Sequence, residues 1–222
     1  KLTAYHEAGH AIVALHEKES DPIHKATIIP RGRALGLVMR LPEGDRISMS
    51  KAKLKADLSV AMGGRIAEEM IFGEEQVTTG ASSDIQMATD TARKMVTEWG
   101  MSDKLGPLRY AVDEKELYLG QMAGGAKGMS DDTASVVDSE TRQIVETAYD
   151  RAKDILTKNI EELHMLAKAL LEYELLSGDE IKDLLKGKAI IRDDVDDEPV
   201  DKGPKSSVPT TGSISGAETQ GA

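Results

Sequence analysis

Five residues near the start of the chain carry the most chemistry: His6-Glu7-Ala8-Gly9-His10, an H-E-x-x-H pattern. On a helix, residues four apart lie one turn apart on the same face. His6 and His10 can then point two imidazoles at one ion. Glu7 sits beside that point, where a carboxylate can take a proton from a metal-activated water, which is the zinc-hydrolase arrangement. The competing reading is a pair of core histidines bonded to backbone. It asks one otherwise apolar turn to bury two imidazoles and a carboxylate without a partner, which is costly.

The surroundings favour the helix this chemistry needs. Leu2, Ala4, Tyr5, Ala8, Ala11, Ile12, Val13, Ala14 and Leu15 are mostly good helix formers, and no proline comes before Pro22. A first helix is expected over about 2–18, stopped by Ser20-Asp21-Pro22. Two β-like runs follow, 25–29 and 35–41, and read as a hairpin or small sheet. A free edge there could hold an extended peptide by main-chain hydrogen bonds, or the hairpin could simply cover the helix. Ser48 or Ser50 can cap a second helix to about Phe72, with Gly63-Gly64 letting another backbone approach and Gly73 ending it. A polar loop leads to a third helix, Asp84 to about Trp99, capped by Ser82 or Ser83. Residues 100–128 read as irregular, with one possible hairpin at 108–119 and mobile glycines Gly120, Gly124, Gly125 and Gly128. Ser130 caps a long helix to about 158 with an apolar stripe from Ala134 to Leu156. Asn159 breaks it, Ile160 to about Tyr173 forms another, and Ser177 with Glu180 makes a capping box for a short one. His24 and His164 read as surface or interface residues, Trp99 as a core plug, and the helical methionines as core filler.

Composition narrows the classes. The 222 residues suffice for one sizeable domain or two small ones. Without cysteine, disulfides and thiolate zinc sites are excluded, leaving His, Asp and Glu as ligands. A net charge of -11 disfavours nucleic acid as a partner. With 3% aromatics, the core must come from aliphatic residues and Met, and the whole leans helical. No run of about 18 apolar residues is present, so a soluble piece without a membrane span is expected. The motif opens at the sixth residue, which suggests a fragment of something longer. The expected organisation is mainly α: a helical domain over 1–191 with a small β-hairpin or sheet after the first helix, then a disordered acidic and Ser-Pro-Gly-rich tail over 192–222.

Catalytic zinc takes three protein ligands and one water. His16 has the spacing for a third histidine, but Val13 stands where that pattern needs a glycine turn, and a β-branched residue resists φ > 0. On an unbroken helix His16 lies roughly 80° off the face of His6. Glu68 or Glu69 on the second helix would give a His-His-Glu set, and Asp84 a His-His-Asp set. The residues alone leave these open.

His6-Glu-Ala-Gly-His10, Gly63-Gly-Arg-Ile-Ala-Glu-Glu69, Thr79-Gly-Ala-Ser-Ser-Asp84 and Trp99-Gly-Met-Ser-Asp-Lys-Leu-Gly-Pro107 occur in the same order as in FtsH, the membrane-bound ATP-dependent zinc metalloprotease family. The resemblance covers about residues 1–190. It implies a zinc endopeptidase acting on unfolded or membrane-extracted polypeptides, with His6, His10 and Asp84 on Zn²⁺, Glu7 as general base and Glu68 as a partner of a ligand histidine. It also implies an ATPase module, using ATP and Mg²⁺, elsewhere in the parent chain, since this chain has no P-loop. A homohexamer is implied as well, and a parent anchored in the bacterial inner membrane with the peptidase on the cytoplasmic side. The rival class is an inactive helical oligomerisation scaffold holding a structural zinc, against which Glu7 argues.

Overall fold

The helix that carries the motif, α1 (Leu2–His16), is buried from Ala4 to Ala14 and forms the centre of the fold. The computed structural model describes residues 1–190 except 31, 33–34, 43, 45–46 and 111–128. Residues Lys1–Ile190 form one compact unit. The expected mobile glycines, most of the possible 108–119 hairpin and the expected disordered tail lie outside the described residues.

Strands β1 (Ile23–Thr27) and β2 (Leu37–Arg40) pair antiparallel as a hairpin. A third strand, β3 (Leu175–Ser177), pairs antiparallel with the other side of β1, giving the order β2-β1-β3. This strand is absent from the sequence reading, because three residues carry no periodicity and only the return of the chain from a distant helix supplies the partner. With β3 on the far side of β1, β2 is left at the edge of the sheet.

The second helix, α2 (Lys51–Phe72), starts at Ser50, whose hydroxyl accepts from the Lys53 N–H, and stops at Gly73, where φ is +89°. It crosses α1 at glycines: a Cβ on Gly9 would stand 2.3 Å from the Gly63 carbonyl oxygen, and one on Gly63 2.7 Å from that of Gly9. No side chain fits there, so the two backbones touch.

Helix α3 (Ser82–Thr97) begins differently from the serine cap expected. A 3₁₀ turn, Thr79–Ala81, runs directly into it and Ala81 is the N-cap. Ser82 is itself helical, and its hydroxyl donates back to the Thr79 carbonyl at 2.7 Å, so no free serine precedes the helix. Helices α4 (Asp131–Lys158), α5 (Ile160–Tyr173) and α6 (Gly178–Leu185) follow, with the Ser130 cap, the break at Asn159 and the Ser177–Glu180 capping box all present. The apolar stripe of α4 is buried at Val137, Ala148, Ala152, Ile155 and Leu156.

The core joins α1 and α2 to α4 and α5 through aliphatic residues such as Ile12, Leu58, Ile66, Leu156, Leu166 and Leu170. Trp99 is 41% exposed at the end of α3, so it is no core plug; small and aliphatic residues (Ala88, Ala92, Met95, Val96) take the inner face of that helix. The methionines divide: Met62 and Met95 are buried, Met87 and Met165 exposed. Among the described residues no helix is long and apolar enough to cross a membrane.

Candidate metal centre

His6 and His10 lie one turn apart on α1 with their Nε2 atoms 3.1 Å apart. Their outer ring nitrogens are tied down. His6 Nδ1 meets Glu68 Oε1 at 2.8 Å, and His10 Nδ1 meets the Val60 carbonyl oxygen at 2.7 Å. Both partners are acceptors, so both Nδ1 atoms must donate, and each Nε2 turns a lone pair toward the same point. Glu68 and Val60 both belong to α2, pressed onto α1 by the glycine crossing.

Asp84, in the first turn of α3, brings Oδ2 to 3.5 Å from each of the two Nε2 atoms. Among the described residues, His6, His10 and Asp84 form the cluster of ligand atoms able to hold a metal, all within 4.8 Å of one another. Two ligands on one tetrahedral zinc, each about 2.0–2.1 Å from it, stand about 3.3 Å apart. The observed separations fit that spacing. Gly64 keeps the space open: a Cβ there would lie 2.6 Å from His10 Nε2 and 2.7 Å from His6 Nε2.

The local field suits a cation. Burial opposes a charge on His6, yet the carboxylates of Asp84, Glu7 and Glu68 around it outweigh this and raise its pKa. Burial likewise works against the Asp84 carboxylate, but the neighbouring His10 and His6 rings hold it well below the usual range. Glu7 is only 6% exposed, and burial pushes its carboxyl up, against the pull of His10 and His6. A ring of carboxylates that favours a proton on an imidazole also favours a divalent ion among the imidazoles.

These residues line a groove of about 870 Å³ whose walls include Leu35, Leu37 and Val38 beside β2, Val60 on α2 and Met87 on α3. Gly36 lies against Glu7, since a Cβ on it would fall 2.4 Å from Glu7 Oε1. The hairpin therefore runs directly over that carboxylate.

The other histidines and acids raised by the sequence lie elsewhere. His16 pairs with Glu162 at 2.8 Å, at the far end of α1. Glu69 faces away from the cluster, accepting from the Tyr149 hydroxyl at 2.5 Å and from Lys153 at 3.4 Å. His164 bonds the Tyr5 hydroxyl at 2.9 Å, and His24 is exposed. Sequence reasoning missed the Val60 carbonyl, which has no signature because every residue has one. It noted Gly64 as a place of close approach without seeing that histidine rings fill the space.

A helical domain with H-E-x-x-H on a buried helix and an aspartate brought in by another is the class of an H-E-x-x-H metallopeptidase domain. More narrowly, residues 1–184 match the model of peptidase family M41, and the chain belongs to that family. It is 58% identical over 190 residues to the "ATP-dependent zinc metalloprotease FtsH" of Rickettsia bellii (strain RML369-C), which covers 86% of this chain and 30% of that protein. It is 57% identical over 187 residues to the protein of the same description in Caulobacter vibrioides (strain NA1000 / CB15N), covering 84% and 30%. The Haemophilus influenzae protein so described is 52% identical over 188 residues, covering 85% and 30%. The chain thus spans about 30% of the length of the relatives it matches.

Proposed function

We propose that this chain is the peptidase module of a zinc-dependent endopeptidase that hydrolyses unfolded or membrane-extracted polypeptides. His6 Nε2, His10 Nε2 and Asp84 hold Zn²⁺, while Glu68 and the Val60 carbonyl keep the two rings aimed inward. When bound, the ion supplies Lewis acidity, lowering the pKa of a water toward about 7 and polarising a peptide carbonyl. Glu7 accepts the proton shed by the attacking water and delivers it to the departing amine. Its burial under Gly36 keeps bulk water from competing for that proton.

Among the described residues no strand pairs with the outer edge of β2, and that edge supports an extended substrate. An unfolded segment can add to it as a further strand through main-chain hydrogen bonds, which read no side chain and require no particular sequence. Leu37 and Val38, which line the groove from β2, offer apolar contact to its side chains. An unfolded chain supplies such a strand anywhere along its length, whereas in a folded protein most backbone groups are already paired. The relatives are described as ATP-dependent, and we infer that an ATPase module of the same parent, using ATP and Mg²⁺, feeds unfolded chains to this site. The parent is then a membrane-anchored homohexamer, with the peptidase on the cytoplasmic side of a bacterial inner membrane.

The observation that carries the reading is the convergence of three ligand atoms beside a buried glutamate. It is tested by measuring casein hydrolysis and zinc content together. Glu7→Gln is expected to lose about a hundredfold or more in rate and keep its zinc. Near-normal hydrolysis by Glu7→Gln removes Glu7 as the base, and undiminished zinc affinity in Asp84→Asn removes Asp84 as a ligand.

A further inference from the structure

Glu68 has no exposed surface, yet its second carboxylate oxygen is reached from the protein exterior. Thr78, an exposed residue of the segment between α2 and α3, donates its backbone N–H to Glu68 Oε2 at 2.9 Å and its hydroxyl to the same oxygen at 3.1 Å. The other oxygen, Oε1, takes the bond from His6 Nδ1. Meanwhile the Thr78 hydroxyl accepts from the Gly80 N–H at 3.2 Å, capping the 3₁₀ turn Thr79–Ala81 that runs into α3 and Asp84. One hydroxyl therefore joins the carboxylate that orients His6 to the turn that delivers Asp84.

We propose that Thr78 is a positioning residue for the metal centre, locking the His6 side and the Asp84 side of the site into one register. The inference rests on the zinc reading above. A carboxylate bonded at one oxygen only can rotate about its last torsion, which is broad for a terminal sp³–sp² bond. The backbone donor on Oε2 limits that rotation and the hydroxyl narrows it further, so Oε1 stays where His6 Nδ1 needs it. The same hydroxyl stiffens the turn before α3, whose residues 78–80 are otherwise exposed and gain little from burial. Donors already held by the chain bond the carboxylate without the ordering entropy that an immobilised water costs. Valine has the shape of threonine without the hydroxyl, so Thr78→Val removes both hydroxyl bonds and leaves the backbone donor in place.

The experiment measures zinc affinity by chelator competition on the full chain as wild type, Thr78→Val and Thr78→Ser. The visible absorption of the cobalt-substituted forms and thermal unfolding of the metal-free forms are recorded beside it. Thr78→Val is expected to weaken zinc binding roughly three- to tenfold and to change the cobalt spectrum, while the metal-free melting temperature falls by no more than a few degrees. Thr78→Ser, which keeps the hydroxyl, is expected to restore both. Wild-type zinc affinity in Thr78→Val overturns this inference and leaves the zinc reading standing, whereas a wild-type chain that binds no zinc overturns both. A weakening matched in Thr78→Ser, or explained by a lower metal-free melting temperature, also overturns it.

Discussion

The site is assembled from two regions held by opposite means. On one side, α1 and α2 meet backbone to backbone at Gly9 and Gly63, and both imidazoles are buried with their outer nitrogens fixed by α2. On the other, Asp84 comes from a helix entered through exposed turns, and its side chain is 25% exposed. The first region gets its precision from packing, where a shift of a few tenths of an ångström meets hard atoms. The second gets it from a few hydrogen bonds, each worth about 1 kcal/mol net. A damaged contact should therefore break the fold in the first region and loosen only the site in the second.

Within the packed region two glycines, Gly64 facing the imidazole rings and Gly9 facing the Gly63 backbone, separate damage to the site from damage to the fold. Gly64→Ala sets a methyl against His10 Nε2 and His6 Nε2, side-chain atoms that can retreat only by straining their bonds to Val60 and Glu68. Zinc affinity should fall about a hundredfold or more, beyond the usual range for groups around a metal's ligands, with a smaller loss of metal-free stability than at Gly9. Chelator competition and a thermal melt check both halves, and zinc affinity near wild type breaks the assignment of that space to the metal.

Gly9→Ala should do the reverse. Alanine in a helix interior is favoured over glycine by about 1 kcal/mol. Here, however, its Cβ meets the Gly63 carbonyl oxygen at 2.3 Å, and a backbone atom in a helix cannot retreat. Overpacking of that kind costs about 1–3 kcal/mol or more, so a net loss of about 2 kcal/mol in urea unfolding is expected. A neutral or stabilising result would show the crossing to be softer than its geometry.

The smallest effect tests Glu69, next to Glu68 but turned to the opposite side of α2. The Tyr149 hydroxyl lowers its pKa first of all, against burial and with help from Lys153, and Tyr149 itself is pushed up to about 12. A carboxyl depressed below its ordinary 4.5 adds stability above that pH, and the gain fades as pH falls through the lower folded value. Tyr149→Phe should thus cost about 0.5–1 kcal/mol at pH 7 and less below about pH 4. Urea unfolding at both pH values measures this, and a gap independent of pH would make the contact one of packing.

Much of the helical frame was legible from local signals. The Ser50 and Ser130 caps, the Gly73 stop, the break at Asn159 and the stripe of α4 each depend on residues within a few turns of one another. Strand β3 was not legible, because its partner β1 lies far back along the chain. Nor was the start of α3, where a 3₁₀ turn displaced a plausible serine cap, nor the exposure of Trp99. At the site, the placing of Glu7 beside two histidines on one helix face could be read, while the Thr78 hydroxyl and the Val60 carbonyl could not.

The reason is the range of the interactions. A repeat of 3.6 residues per turn puts His6 and His10 on one face whatever the rest of the chain does, so their pairing and the adjacent Glu7 follow from spacing alone. Spacing left Glu68, Glu69 and Asp84 open to stand with them, with His16 disfavoured by Val13 and by its angle on the helix. Choosing among those required distances between separate helices. They are set by two glycines that bring α2 onto α1 and by a capped turn that aims α3 at the gap, and neither contact is encoded within the reach of a single helix.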